Sequence, residues 1–139
     1  MNLLARIDTL PLDVGVHLEA VRNPGAGAVA TFIGQVRNHD ASVAGEVVAL
    51  EYSAHPDAEA VLTRLATEAA RDGVLALAVS HRVGLLRVGD PAIVVAVATA
   101  HRALAFEVCR LLVERVKAEL PVWKREILAD GSHVWVGLT

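Results

Sequence analysis

The sequence predicts an α+β fold: a mostly antiparallel sheet covered by helices, in a single domain spanning residues 1–139. Three observations predict it. The elements read in the order β-α-β-β-α-β-β-α-β-β, in which strands follow one another directly as often as they are separated by helices. The dipeptide Asp130-Gly131 marks a tight hairpin near the end of the chain. The chain is 54% hydrophobic but only 4% aromatic, the excess being Ala, Val and Leu, a composition that suits a sheet lying under helices.

The elements follow in turn. Leu3 to Ile7 reads as a short strand. A helix opens near Pro11, since proline suits the first helical turn, with Thr9 or Leu10 as its cap. It ends before the breaker Asn23-Pro24-Gly25. Gly27 to Val36 is apolar and β-branched enough for a strand, and Gly34 within it points to a bulge or to close approach of another backbone or ligand. Arg37 to Gly45 is a polar loop, and Glu46 to Tyr52 a further strand. Pro56 and Gly73 bracket a helix whose Ala58, Val61, Leu62, Leu65 and Ala69 share one face.

Val74 to Val83 and Ala92 to Ala100 are strands joined by a turn around Arg87 to Pro91. The second has no apolar–polar alternation, as expected of a strand covered on both faces. A long helix covers Arg102 to Glu119, with Phe106, Cys109, Val113, Val116 and Leu120 in one apolar stripe, widened by Leu104, Val108, Leu111 and Leu112. Pro121 stops it. Val122 to Ala129 and His133 to Leu138 form the closing hairpin.

Composition excludes several classes of function. A net charge of −3 argues against a general nucleic-acid binder, which is normally basic. The longest uncharged apolar run, Pro91 to Ala100, is about half of the roughly 20 residues a helix needs to span a bilayer. No basic region followed by an apolar run opens the chain, so the cytoplasm is the default compartment. Cys109 is the only cysteine, which leaves no intrachain disulfide and no thiolate metal cluster. Within a helical apolar pattern it reads as a core thiol rather than a nucleophile. The six histidines show neither an i, i+4 pair nor HExxH, so no metal is expected. GxSxG, P-loop and GxGxxG motifs are missing, and no cofactor is expected.

Four positions carry possible chemistry. His101 and Arg102 open a helix, where positive side chains oppose the dipole by up to about 1 kcal/mol. A bound anion would reverse that, attracted by free N–H groups, dipole and side chains together. The plainer alternative is that His101 is buried and Arg102 pairs with a carboxylate such as Glu107. Lys117 lies on the helix's polar stripe, where an ordinary solvated lysine would be. Lys124 follows Trp123 inside a strand flanked by apolar residues. Partial burial would lower its pKa and make it a usable base or nucleophile, whereas an edge strand would leave it an exposed lysine. Arg37 ends a strand and opens a polar loop, which suits either a binding residue or an ordinary surface one. His81-Arg82 looks like a second copy of His101-Arg102 but sits before Val83-Gly84, in strand-to-turn context, and reads as structural.

Together these stretches resemble the MoaE family, the catalytic large subunits of molybdopterin synthase. The residues that carry the resemblance run in order through most of the chain: Gly27-Ala28-Val29, Phe32 to Arg37, Leu50-Glu51-Tyr52, His81 to Gly84, Val88-Gly89-Asp90, Ala100-His101-Arg102, Ala105-Phe106, Lys117, Pro121 to Glu126, Gly131 and Trp135. The chain departs from the family pattern after Tyr52, where Ser53-Ala54-His55-Pro56 replaces a further acidic residue and a tyrosine. The resemblance implies an α/β-hammerhead-like fold and a homodimer that binds two small ubiquitin-like sulfur carriers of the MoaD type, giving a heterotetramer. It implies a sulfurtransferase that uses the carrier's C-terminal Gly-Gly thiocarboxylate to convert cyclic pyranopterin monophosphate to the molybdopterin dithiolene. Lys117 and Lys124 match the family's active-site lysines. His101 and Arg102, with Arg37 of the neighbouring subunit, match its substrate-phosphate site, and Phe32 matches an apolar position near the carrier tail. The rival of a different class is a non-catalytic dimeric module that binds a phosphorylated metabolite or a partner's tail. It would keep Arg37, His101 and Arg102 but have no need of Lys124.

Overall fold

The structure, a computed structural model, describes residues 1–40 and 43–137. Ala41 and Ser42 of the polar loop, and the expected strand end at Leu138, lie outside those residues. The elements run β1 (Asn2–Asp8), α1 (Val14–Ala20), β2 (Ala28–Gln35), β3 (Val47–Ala54), α2 (Ala58–Ala69), β4 (Val74–Arg82), β5 (Gly84–Arg87), β6 (Pro91–Thr99), α3 (Arg102–Glu119), β7 (Val122–Leu128) and β8 (His133–Gly137).

The strands form two four-stranded sheets, ordered β1-β4-β6-β2 and β5-β3-β7-β8. All neighbours are antiparallel except β1 and β4, which pair in parallel. The α+β class and the antiparallel bias are as the sequence predicts, while the division into two sheets is not visible in it. The division follows from β5, a strand of only four residues just where the sequence predicts nothing but the turn around Arg87 to Pro91. Gly84, with φ +96°, turns the chain out of β4, so that Gly84 to Arg87 pair with β3 instead.

The first sheet is covered on both faces, which explains the unbroken apolar run in β6. Leu77, Val79, Ile93, Val95 and Val97 face Leu62 and Leu65 of α2 and Val108, Leu112 and Val116 of α3 in one core. The alternate residues Ala76, Ala78, Ala96 and Ala98 form a thinner layer with Val21, on the side of α1. Large side chains meet two long helices and alanines meet one short helix, so neither face leaves a polar residue to mark alternation. Each buried leucine or valine contributes about 1.5–3 kcal/mol through lost apolar exposure. The polar exceptions are partnered. His17 of α1 donates from Nδ1 to the Asp13 carbonyl at 2.7 Å and accepts at Nε2 from the Ser80 hydroxyl at 2.7 Å.

Two local expectations change. The first helix begins at Val14 rather than near Pro11, because the Asp13 carboxylate accepts from the Val16 N–H and caps it. In α3, Ala105, Val108, Cys109, Leu112, Val113 and Val116 are buried, but Phe106 and Leu111 of the predicted stripe are 66% and 43% exposed. The apolar stripe is wider than the sheet beneath it. Cys109 is buried, and burial pushes its thiol up, as befits a core thiol. Among the described residues, no helix is long and apolar enough to cross a membrane.

Candidate functional site

A cavity of about 350 Å³ opens at the seam between the sheets. The C-terminal end of α3 supplies Lys117, β7 supplies Lys124 and Glu126, β3 supplies Tyr52, β4 supplies His81, and the segment after β2 supplies Arg37. Strand geometry explains the second sheet's share. Lys124 and Glu126 are two residues apart, hence on one face, and Lys124 pairs in register with Tyr52. Arg37 is brought in by an irregularity. The register between β2 and β6 shifts at Gly34/Gln35, where a Cβ on Gly34 would lie 2.6 Å from Cγ2 of Ile93. Beyond the shift, Val36 exchanges backbone hydrogen bonds with the turn before β6, its N–H donating to Asp90 and its carbonyl accepting from Gly89.

Lys124 is part-buried, as one of the two sequence readings has it, with its Nζ 3.2 Å from Asp40 Oδ2 and 3.3 Å from Glu126 Oε1. Glu126 is only 2% exposed. Burial first, and then the Asp40 carboxyl hydrogen-bonded to it, hold Glu126 above the ordinary carboxyl range, against the Lys124 charge. Burial and the Glu126 charge push the Tyr52 hydroxyl up to about 12. The His81 and Tyr52 rings pack in a T-shaped contact, centroids 5.1 Å apart, and burial drives His81 down to about 4 despite its hydrogen bond to the Arg82 carbonyl. The cavity thus holds cations from Arg37, Lys117 and Lys124, a carboxyl pair, a neutral phenol and a neutral imidazole. Such a space suits an anionic small molecule, and its volume is within the usual range for ligand sites.

The remaining sequence candidates lie elsewhere. His101 is the N-cap residue of α3 without a side-chain cap, and both it and Arg102 are exposed. Arg102 does not take the predicted alternative partner, because Glu107 pairs with Arg71 at 2.9 Å. From residue 102 to residue 117 one α-helix spans about 22 Å at 1.5 Å per residue, so the chain separates His101-Arg102 from Lys117. Phe32 lines a shallow groove with Phe106, Cys109 and Val113, between β2 and α3, not the lysine cavity. Asp40, Tyr52, His81 and Glu126 are cavity residues the sequence reading did not select. The two-residue spacing of Lys124 and Glu126 was the signal available for Glu126. Among the described residues, no group of three or more His, Cys, Asp or Glu could hold a metal ion.

A family model described as "MoaE protein" matches residues 7–119. The chain belongs to the MoaE family. A MoaE relative from Thermoplasma volcanium, described as "Molybdopterin synthase catalytic subunit", is 41% identical over 130 residues, covering 92% of this chain and 91% of its own length. A relative from Mycobacterium tuberculosis, "Molybdopterin synthase catalytic subunit 1", is 37% identical over 137 residues, covering 95% and 89%. Among solved MoaE-type structures, the molybdopterin synthase of Staphylococcus aureus superposes with a TM-score of 0.87 at 32% identity over 96% of each chain. A Helicobacter pylori chain, solved as a complex of subunits 1 and 2 of molybdopterin-converting factor, shares the fold with a TM-score of 0.74 at 18% identity, over 97% of this chain and 88% of its own.

Proposed function

We propose that this chain is the catalytic subunit of a molybdopterin synthase, a cytoplasmic sulfurtransferase. In this reading it moves sulfur from the C-terminal thiocarboxylate of a small ubiquitin-like carrier to cyclic pyranopterin monophosphate, forming the dithiolene. The observation that carries the reading is the convergence of Arg37, Lys117 and Lys124 on one cavity. Attack by the thiocarboxylate sulfur forms an acyl thioester, and water then cleaves the acyl–sulfur bond to release the carrier as a carboxylate. These steps develop charge on carbonyl oxygens, and opening of the cyclic phosphate develops it on phosphate oxygens. Ammonium groups in a partly enclosed site, Lys124 held by its carboxyl partners and Lys117 at the exposed rim, stabilise such charge. A Lys124 held between Asp40 and Glu126 also has a route for the protons that move as the cyclic phosphate opens.

The substrate's phosphate needs its own anchor. His101 and Arg102 at the open N-terminus of α3 have the chemistry for it, but stand about 22 Å along the helix from Lys117. A symmetric dimer resolves this. In each site one copy supplies Lys117, Lys124 and Arg37, and the other supplies His101 and Arg102. The carrier's tail then reaches the site past Phe32. Replacing Lys124 tests the catalytic reading. Lys124→Ala protein that folds normally, incubated with thiocarboxylated carrier and cyclic pyranopterin monophosphate, is expected to lose at least about 100-fold in dithiolene formation. Wild-type turnover by that variant would leave only the binding-module reading.

A further inference from the structure

His81 has one nitrogen in use and one to spare. Its Nδ1 lies 2.8 Å from the Arg82 carbonyl oxygen. A carbonyl only accepts, so Nδ1 carries the proton and Nε2 carries the lone pair. The ring cannot easily turn this pattern round. Tyr52 packs against it in a T-shaped contact, centroids 5.1 Å apart, and Arg82 is itself fixed by Asp90 at 3.5 Å and by the Leu85 carbonyl at 3.2 Å. The residue is 5% exposed, yet it lines the cavity that holds Lys117 and Lys124. No described protein group donates to Nε2. With Nδ1 turned to the backbone, Nε2 is the polar atom the ring offers to the cavity.

We infer that His81 is a substrate-binding residue whose Nε2 accepts a hydrogen bond from a ring N–H or a hydroxyl of the molecule held in the cavity. The inference rests on the reading above that the cavity receives the pterin. Charge decides which part of the substrate His81 meets. A neutral lone pair repels phosphate and carboxylate oxygens, and those have the neighbouring copy's phosphate anchor and the cations Lys117, Lys124 and Arg37 to bind. Burial and the nearby Lys117 charge both oppose protonation of the ring, so it does not become a donor at neutral pH. His81 therefore orients the substrate by accepting from its neutral, donor-bearing ring system while the cations hold its anionic part. A site built to accept from a donor discriminates strongly against analogues lacking it, because its buried acceptor is then left unpaired.

Three substitutions separate this role from a structural one. His81→Phe keeps the ring's bulk against Tyr52 and removes both nitrogens. His81→Gln places an amide oxygen near the position of Nε2, and His81→Asn places an amide N–H near that of Nδ1. Calorimetric titration of the full-length protein uses two probes, cyclic pyranopterin monophosphate and inorganic phosphate. Phe and Asn are expected to weaken pterin binding by about tenfold or more, while Gln stays within about threefold of wild type. Phosphate affinity stays unchanged throughout. In turnover assays the loss falls on KM more than on kcat, as for binding shared by ground and transition states. If Asn binds like wild type and Gln does not, the ring only anchors the Arg82 carbonyl and the inference fails. It fails equally if Gln is as weak as Asn, or if phosphate affinity falls with pterin affinity. Should the Phe variant not fold, the Gln–Asn comparison decides alone. A wild-type protein that does not bind the pterin would sink the functional reading itself, whereas pterin binding unaffected by any of the three would sink only the role of His81.

Discussion

Lys124 and His81 bring two nitrogens in opposite surroundings to one part-enclosed cavity. The Nζ of Lys124 has the Asp40 and Glu126 carboxyl groups within 3.3 Å of it. His81 stays neutral because burial, with the Lys117 charge acting the same way, drives it down to about 4 from its ordinary 6.5. The shifts of His81 and of Glu126 have consequences for stability of opposite sign. Below pH 6.5 the unfolded chain takes a proton at His81 that the folded protein refuses, so stability present above 6.5 is lost as pH falls towards 4. The full effect is roughly 3 kcal/mol. Glu126, held above the ordinary carboxyl range, binds its proton more tightly when folded, so its contribution is lost as pH rises through its raised value. Urea unfolding of wild type and His81→Gln between pH 7 and 4.5 isolates the first effect. The wild type is expected to lose stability more steeply than the variant over that interval, and parallel slopes would contradict the assignment. At this scale the sequence was partly legible. Lys124 stood out because a lysine between apolar neighbours in a strand is unusual. His81 does not stand out in the sequence, because its place at the end of a strand says nothing about which cavity that end faces.

Among the elements, long periodic segments were readable and short ones were not. α2 and α3 have enough turns for their apolar spacing to dominate, and the even burial of β6 was foreseen from its missing alternation. β5 has four residues, too few for a period, and α1 has seven, so its start was decided by the Asp13 side chain rather than by Pro11. Gly34 was legible as an irregularity, and the structure shows what it does. With the register shift at Gly34/Gln35, the strand's continuation carries Arg37 to the cavity. Gly34→Ala forces a Cβ to 2.6 Å from a branched Ile93 methyl and to 3.3 Å from the Phe32 ring. It is expected to cost about 1–3 kcal/mol by overpacking, with a further fall in kcat/KM as Arg37 shifts. Leu65→Ala, in the core of α2, is the control: about 2–5 kcal/mol of stability, with substrate affinity unchanged when measured well below its lowered Tm. A Gly34 variant with lost stability but wild-type kcat/KM would separate the irregularity from the site.

For the molecule as a whole, the helix that supplies Lys117 also fixes how far His101 and Arg102 stand from it. No side-chain motion closes about 22 Å within one chain, so the phosphate anchor and the amines belong to one site only if two copies share it. Periodicity and spacing, which describe one chain, left His101-Arg102 and the lysines as separate candidates. Their union came from resemblance, and the structure gives it a geometric condition. In a two-fold dimer each site takes Lys124 from one copy and Arg102 from the other. Lys124→Ala and Arg102→Ala proteins are each expected to be inactive alone. In a mixed dimer one site carries both lesions and the other carries neither. Refolding the two variants together at equal concentration makes about half of the dimers mixed, each with one intact site out of two, so activity should return to about a quarter of wild type. Dithiolene formation before and after co-refolding measures this. If each site were built within a single copy, every site would keep one lesion and mixing would restore nothing.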